Sequence, residues 1–218
     1  MVVKVLKSLL LGVNIFIIIY LGYYLSDTDF FEETLVYNKI NQIKLNSTGN
    51  ENLNSIIRIN SNGMFICSGT VISDNYVLTA SHCIRNQPED FTVTSDNLIY
   101  TTKAVRVISI PNQDVGLLSG DFSMFKKLKV RWDKLHLGLP YINCGYPRGQ
   151  QKLQCGPINL KSNTFFRISG DCVLVQGMSG GPVIDALTEE VVGVNSAVDY
   201  NGCIIGPLLG LKHYIFGE

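Results

Sequence analysis

Residues 56–79 read IIRINSNGMFICSGTVISDNYVLT. Four short apolar runs lie in this stretch, at 56–59, 64–67, 70–73 and 76–79, and β-branched and aromatic residues dominate them. Ser61-Asn62-Gly63 and Ser73-Asp74-Asn75 punctuate them as turn signals. Branched side chains pack well on a pleated surface, and Ser, Asn, Asp and Gly are the residues of turns. The stretch therefore predicts strands joined by short turns. The pattern continues at 91–94, 104–110 and 191–198, with further turn signals at Pro111-Asn112 and Tyr200-Asn201-Gly202. Short strands with regular turns predict an all-β barrel or sandwich. Only residues 123–136 have room for a helix, and their periodicity is mixed. They sit mid-chain and are read as a linker between two β-subdomains.

The composition narrows the class. Of 218 residues, 18 are Lys or Arg and 18 are Asp or Glu, so the formal charge is zero. Hydrophobic residues make up 46% and charged residues 17%, which excludes a disordered chain. Without a basic excess, no nucleic-acid partner is expected.

Residues 8–26, SLLLGVNIFIIIYLGYYLS, carry no charge. As a helix they would reach about 28 Å, close to the roughly 30 Å hydrocarbon core of a bilayer. Lys4 and Lys7 precede them, and Asp27, Asp29, Glu32 and Glu33 follow. That asymmetry predicts an N-terminal transmembrane helix at 1–26, with the rest of the chain outside the cytoplasm. The stretch ends in Tyr23-Tyr24-Leu25-Ser26, without the small residues of a cleavage site, so an uncleaved signal anchor is preferred. A cleaved signal and a secreted protein are the alternative. Residues 27–53 are polar and read as a stalk, leaving 54–218 as the folded domain.

Six cysteines occur: Cys67, Cys83, Cys144, Cys155, Cys172 and Cys203. An exported chain with an even count predicts disulfides, and the spacing alone leaves fifteen pairings open. No C-x-x-C pair is present, which argues against zinc, and no metal or cofactor is expected.

Three segments carry the chemistry. They are Leu78-Thr79-Ala80-Ser81-His82-Cys83, Asp114-Val115-Gly116-Leu117-Leu118 and Gly177-Met178-Ser179-Gly180-Gly181-Pro182. Acyl transfer by a serine needs a base to take its proton and a carboxylate to orient that base. It also needs backbone N–H groups aimed at the developing oxyanion, and glycines beside the serine let the backbone supply them.

These segments resemble the histidine, aspartate and serine motifs of the trypsin/chymotrypsin-fold serine peptidases, in that family's order. The resemblance spans roughly 54–218. It implies two six-stranded antiparallel β-barrels with a cleft between them, and hydrolysis of protein or peptide substrates. Ser179 would be the nucleophile, His82 the general base and then acid, and Asp114 the residue that orients His82. The N–H groups of Gly177 and Ser179 would form the oxyanion hole. In secreted members a disulfide joins the strand before the histidine motif to a Cys after the His, which implies Cys67–Cys83. Cys144 and Cys155 are a hairpin's distance apart and are paired next, leaving Cys172 with Cys203 across the two walls of the specificity pocket. His136 and His213 match no motif and are read as structural or surface residues.

Departures from the family also carry information. Met178 stands where the digestive and clotting enzymes have an Asp that pairs with a new N-terminal ammonium after cleavage, so that activation route is not expected. In this and in Gly145-Tyr146-Pro147 the chain resembles bacterial HtrA-like members, without residues for a following PDZ domain. Counting back from Ser179 puts Val173 near the pocket floor, with Asn195, Ser196 and Ala197 as a wall, and favours an apolar or small P1 residue. A slip of two positions would put Asp171 there and favour Arg or Lys. The alternative to an enzyme is a non-catalytic binding protein on the same scaffold.

Overall fold

Asn62 and Gly63 both take left-handed backbone, with φ of 52° and 74°, and the strands they join pair from Ser61 and Met64 outward. This two-residue turn matches the twist of its flanking strands and opens the first barrel. The computed structural model describes residues 54–95, 100–163, 168–200 and 202–216, all within one unit, Gln42–Glu218. The expected membrane helix at 1–26 and the stalk at 27–53 lie outside these residues. Among the described residues no helix is long and apolar enough to cross a membrane.

The first barrel comprises β1 (Ile56–Ser61), β2 (Met64–Val71), β3 (Tyr76–Thr79), β4 (Asp90–Thr94), β5 (Thr101–Ile110) and β6 (Val115–Gly120). Its spatial order is β1-β2-β3-β6-β5-β4, and β4 closes onto β1. The second comprises β7 (Tyr141–Gly145), β8 (Gln154–Asn163), β9 (Ile168–Asp171), β10 (Pro182–Asp185), β11 (Val191–Asp199) and β12 (Gly202–Pro207). Its order is β10-β11-β12-β9-β8-β7, and β7 closes onto β10. All these strand pairs are antiparallel. The fold is the two six-stranded barrels that the resemblance implies.

Period-two alternation fills each interior. Ile57, Ile59, Val77, Phe91 and Leu117 are buried in the first barrel's strands. Tyr141, Ile158, Leu160, Ile168, Val183 and Ile205 cluster in the second. Each such side chain contributes about 1.5–3 kcal/mol on leaving water. On β5, Ala104 is buried while Val105 and Val107 face solvent.

The stretch at 123–136 forms no helix. It is an extended part of the connection between barrels, and its apolar residues are shared between them, which explains the mixed periodicity. The Leu128 N–H donates to Val71 O over 3.0 Å. Arg131 N–H donates to Val191 O, and Val191 N–H to Lys129 O, over 2.9 and 2.8 Å. The Arg131 guanidinium pairs with the buried Asp185 carboxylate at 2.7 Å. Among the described residues two α-helical pieces were not anticipated: a single turn, α1 (Ser81–Ile84), and a final helix, α2 (Leu209–Phe216).

Three disulfides close local loops: Cys67–Cys83, Cys144–Cys155 and Cys172–Cys203. Cys144 and Cys155 are direct cross-strand partners on β7 and β8. Cys203 faces Gly170 on β9, so its bridge ties β12 to the segment just past β9.

Candidate active site

The one-turn helix α1 exists to present a single side chain. It follows β3 directly, its buried Ser81 and Ile84 face the barrel, and His82 projects outward. The Cys67–Cys83 bridge ties this turn back to β2. Asp114 stands just before β6, in left-handed backbone with φ of 52°. A non-glycine residue there is strained, and such outliers cluster at functional sites. Asp114 receives His82 twice: the backbone N–H donates to Oδ1 over 2.9 Å, and ring Nδ1 lies 2.7 Å from Oδ2. These contacts fix both the position and the plane of the ring.

A third donor comes from the second barrel. Ser196 Oγ donates to Asp114 Oδ2 over 2.5 Å. Ser196 reaches it because of a β-bulge: on β11 Asn195 pairs with Ile205 and Ala197 with Ile204, leaving Ser196 unpaired between them. An extra residue in one strand re-aims its side chain. Burial pushes the Asp114 carboxyl up, but hydrogen bonds from the His82 ring, Ser196 and the His82 backbone outweigh it and hold it below the ordinary range.

Ser179 sits on the second barrel, in the loop before β10. Its hydroxyl donates to Ser196 O over 3.1 Å, while His82 Nε2 lies 3.7 Å from Cys83 Sγ. The cleft thus brings His82, Asp114 and Ser179 around Ser196, without a direct His82–Ser179 hydrogen bond among the described residues. Both sulfurs beside His82 are joined in the disulfide and are not available as metal-binding thiolates.

The loop carrying Ser179 is packed to its backbone. Gly180 has φ of +82°, and a Cβ there would run into Ser68 O and Thr79 Oγ1. Gly177 has φ of +93°, and a Cβ there would lie 2.6 Å from Tyr146 O. The N–H groups of Met178, Gly180 and Gly181 donate to Val175 O, Asn195 O and Met178 O. Those of Gly177 and Ser179 donate to no group among the described residues. Two N–H groups without an acceptor among the described residues, one of them the serine's own, are the kind of donors that an oxyanion requires. Met178 is buried and supplies no charge.

One expected pocket residue departs from its place. Val173 is 70% exposed, so it is not the floor of an enclosed pocket. Asn143 Nδ2 holds its carbonyl at 2.9 Å on the inner side, while the side chain stays in solvent. Asp171, the alternative, is exposed on β9 and paired with Lys161 Nζ at 2.6 Å. Asn195 is buried and straps the backbone, donating to Cys144 O over 2.8 Å and Met178 O over 3.3 Å. Ser196 serves Asp114, and Ala197 is exposed beyond the bulge. His136 is exposed and its N–H donates to Tyr141 Oη; the His213 side chain lies outside the described residues.

Two closed barrels with a histidine–aspartate pair linked through Ser196 to a serine between Gly177 and Gly180 define the trypsin-like class. A family model for the trypsin-like peptidase domain matches residues 67–194, and the chain belongs to that family. The serine endoprotease from Yersinia pestis has a similar fold, with a TM-score of 0.66 at 20% identity over 78% of this chain and 64% of that one. This chain therefore spans less than two thirds of that protease's length. The Rv3671c protease from M. tuberculosis is similar in its active form, with a TM-score of 0.61 at 22% identity, covering 76% of this chain and 82% of that one. Its inactive form gives 0.60 at 21% identity over 77% and 91%. At these identities the likeness is one of fold. A comparison with curated proteins finds no match.

Proposed function

We propose that this chain is a serine endopeptidase that hydrolyses peptide bonds through an acyl-enzyme. The observation that carries the reading is His82 Nδ1 held 2.7 Å from Asp114 Oδ2, an oxygen also bound by Ser196, whose carbonyl accepts from Ser179 Oγ. Ser179 Oγ attacks the scissile carbonyl and passes its proton to His82 Nε2. The carbonyl oxygen becomes an anion, and the N–H groups of Gly177 and Ser179 receive it. His82 then protonates the leaving amine as the C–N bond breaks. Water, deprotonated by His82, releases the acid and restores Ser179. Asp114 stays ionised throughout and stabilises the imidazolium.

The reading also has the domain anchored by residues 8–26 and facing out of the cytoplasm. The charge asymmetry around that segment supports it, as do three disulfides, which persist in oxidising compartments. A second reading, a binding protein without turnover, draws on the Ser179 hydroxyl donating to Ser196 O rather than to His82. Such contacts are often loose before substrate binds and tighten in the complex. Fluorophosphonate labelling of the full chain beside Ser179→Ala and His82→Ala separates the two. Labelling of the parent alone supports the peptidase, and absence of labelling in folded parent protein supports the binding scaffold.

A further inference from the structure

Ser68 on β2 is fully buried, and every polar atom it has is engaged. Its N–H donates to Ser179 O over 2.9 Å, and its carbonyl accepts from Thr79 Oγ1 over 2.9 Å. Its hydroxyl donates to Gly177 O over 2.8 Å and accepts from the Tyr146 N–H over 2.9 Å. The contacts to Ser179, Gly177 and Tyr146 all cross from the first barrel to the second. Two of them end on the residues whose N–H groups are spare.

The C=O and N–H of a trans peptide point in opposite directions. Arg148 N–H holds Gln176 O at 2.6 Å, so the Gly177 N–H faces away from Arg148. Gly181 N–H and Asn195 Nδ2 hold Met178 O at 3.0 and 3.3 Å, so the Ser179 N–H faces away from them. Between these two planes lies the Gly177–Met178 peptide, and its carbonyl is the one the Ser68 hydroxyl holds. Glycine's backbone has no side chain to restrict it, so Gly177 offers little resistance of its own to rotation of that plane.

We propose that Ser68 is a positioning residue for acyl transfer: its hydroxyl, bridging Tyr146 N–H and Gly177 C=O, holds the anion-binding N–H groups of Gly177 and Ser179 in register. The inference rests on the peptidase reading. It assigns to the first barrel a role in shaping the second barrel's half of the site, and it uses a neutral hydroxyl rather than an ion pair.

The test is steady-state turnover of a peptide substrate by the full chain and by Ser68→Ala, which keeps both main-chain bonds of residue 68. Deleting an oxyanion donor outright costs 10²–10³ in kcat, so loosening its support is expected to lower kcat roughly tenfold with KM within about twofold. A peptide boronate, which forms a tetrahedral anionic adduct, is expected to lose affinity by the same factor. Unchanged kcat/KM in a folded variant overturns the proposal, and so does a loss carried by KM alone. Thermal melting reports which variants fold; Ser68→Gly serves where Ser68→Ala does not, and is read in the same way. A wild-type chain that neither turns over nor labels defeats the peptidase reading, and the role of Ser68 falls with it. A labelled, active wild type with unaffected Ser68 variants removes the role of Ser68 alone.

Discussion

Ser196 Oγ, on the second barrel, donates to Oδ2 of Asp114 on the first, the same oxygen that faces His82 Nδ1. The pairing of histidine and aspartate is therefore completed from across the cleft. Ser196→Ala removes one hydrogen bond to a charged group, about 1.5 kcal/mol, and is expected to lower kcat/KM roughly tenfold. Ser196 is one of the donors that hold the Asp114 carboxyl low. Without it the carboxyl rises, so the loss of activity that accompanies protonation of Asp114 sets in at higher pH. Profiles of wild type and variant, measured side by side, check both the size and the sign.

Gly180→Ala tests the packing of the serine loop. The added methyl meets Ser68 O and Thr79 Oγ1 and demands left-handed backbone of an L-residue. Activity is expected to disappear, and stability to fall by more than the roughly 1 kcal/mol of an ordinary glycine replacement. Urea unfolding followed by fluorescence measures the second effect, and labelling at Ser179 the first.

The Arg131–Asp185 pair predicts an acid-labile fold. Burial pushes the Asp185 carboxyl up, but the Arg131 guanidinium and the N–H groups of Leu187 and Thr188 outweigh it and hold it below the ordinary range. A carboxyl depressed in the folded state stabilises above its unfolded value, about 3.9, and that stability is lost as pH falls through the folded value. Arg131→Met leaves Asp185 buried without its counter-charge and is expected to cost about 3 kcal/mol near neutrality. Urea midpoints measured from acid to neutral pH should rise less steeply in the variant than in the wild type.

Cys67→Ser with Cys83→Ser opens a loop of sequence separation 16. Closing a loop of that length stabilises by about 3 kcal/mol, and the double variant should lose that much. Because this loop carries His82, turnover is expected to fall by more than the unfolded fraction explains. Comparing active-site titration with the folded fraction from circular dichroism separates the two losses.

The barrels were legible because their signals are local. Asn62-Gly63 writes a hairpin into two residues, and alternation along β1 and β2 needs no knowledge of partners. The histidine, aspartate and serine segments were legible as motifs. The role of Ser196 was not, because a bulge is a property of two strands in register. Val173 was misplaced for a similar reason: distance along the chain from Ser179 does not say which side of the segment Asn143 will hold. The stretch at 123–136 was legible as a connection because its buried Phe125, Leu128 and Leu135 follow no single period. Helix α2 escaped because LGLKHYIF is mostly apolar, with no stripe to mark a face.

Each disulfide closes within one barrel: Cys67–Cys83 in the first, Cys144–Cys155 and Cys172–Cys203 in the second. No sulfur bridge spans the connection at 121–140, so that stretch is the sole covalent tether between the halves of the candidate site. A tether of this kind keeps its two ends at millimolar effective concentration. One nick there would turn an intramolecular fit into a bimolecular one, and dilution would then weaken the site. The same arrangement makes the chain a natural candidate for split-protein complementation, in which recovered turnover counts the reunions.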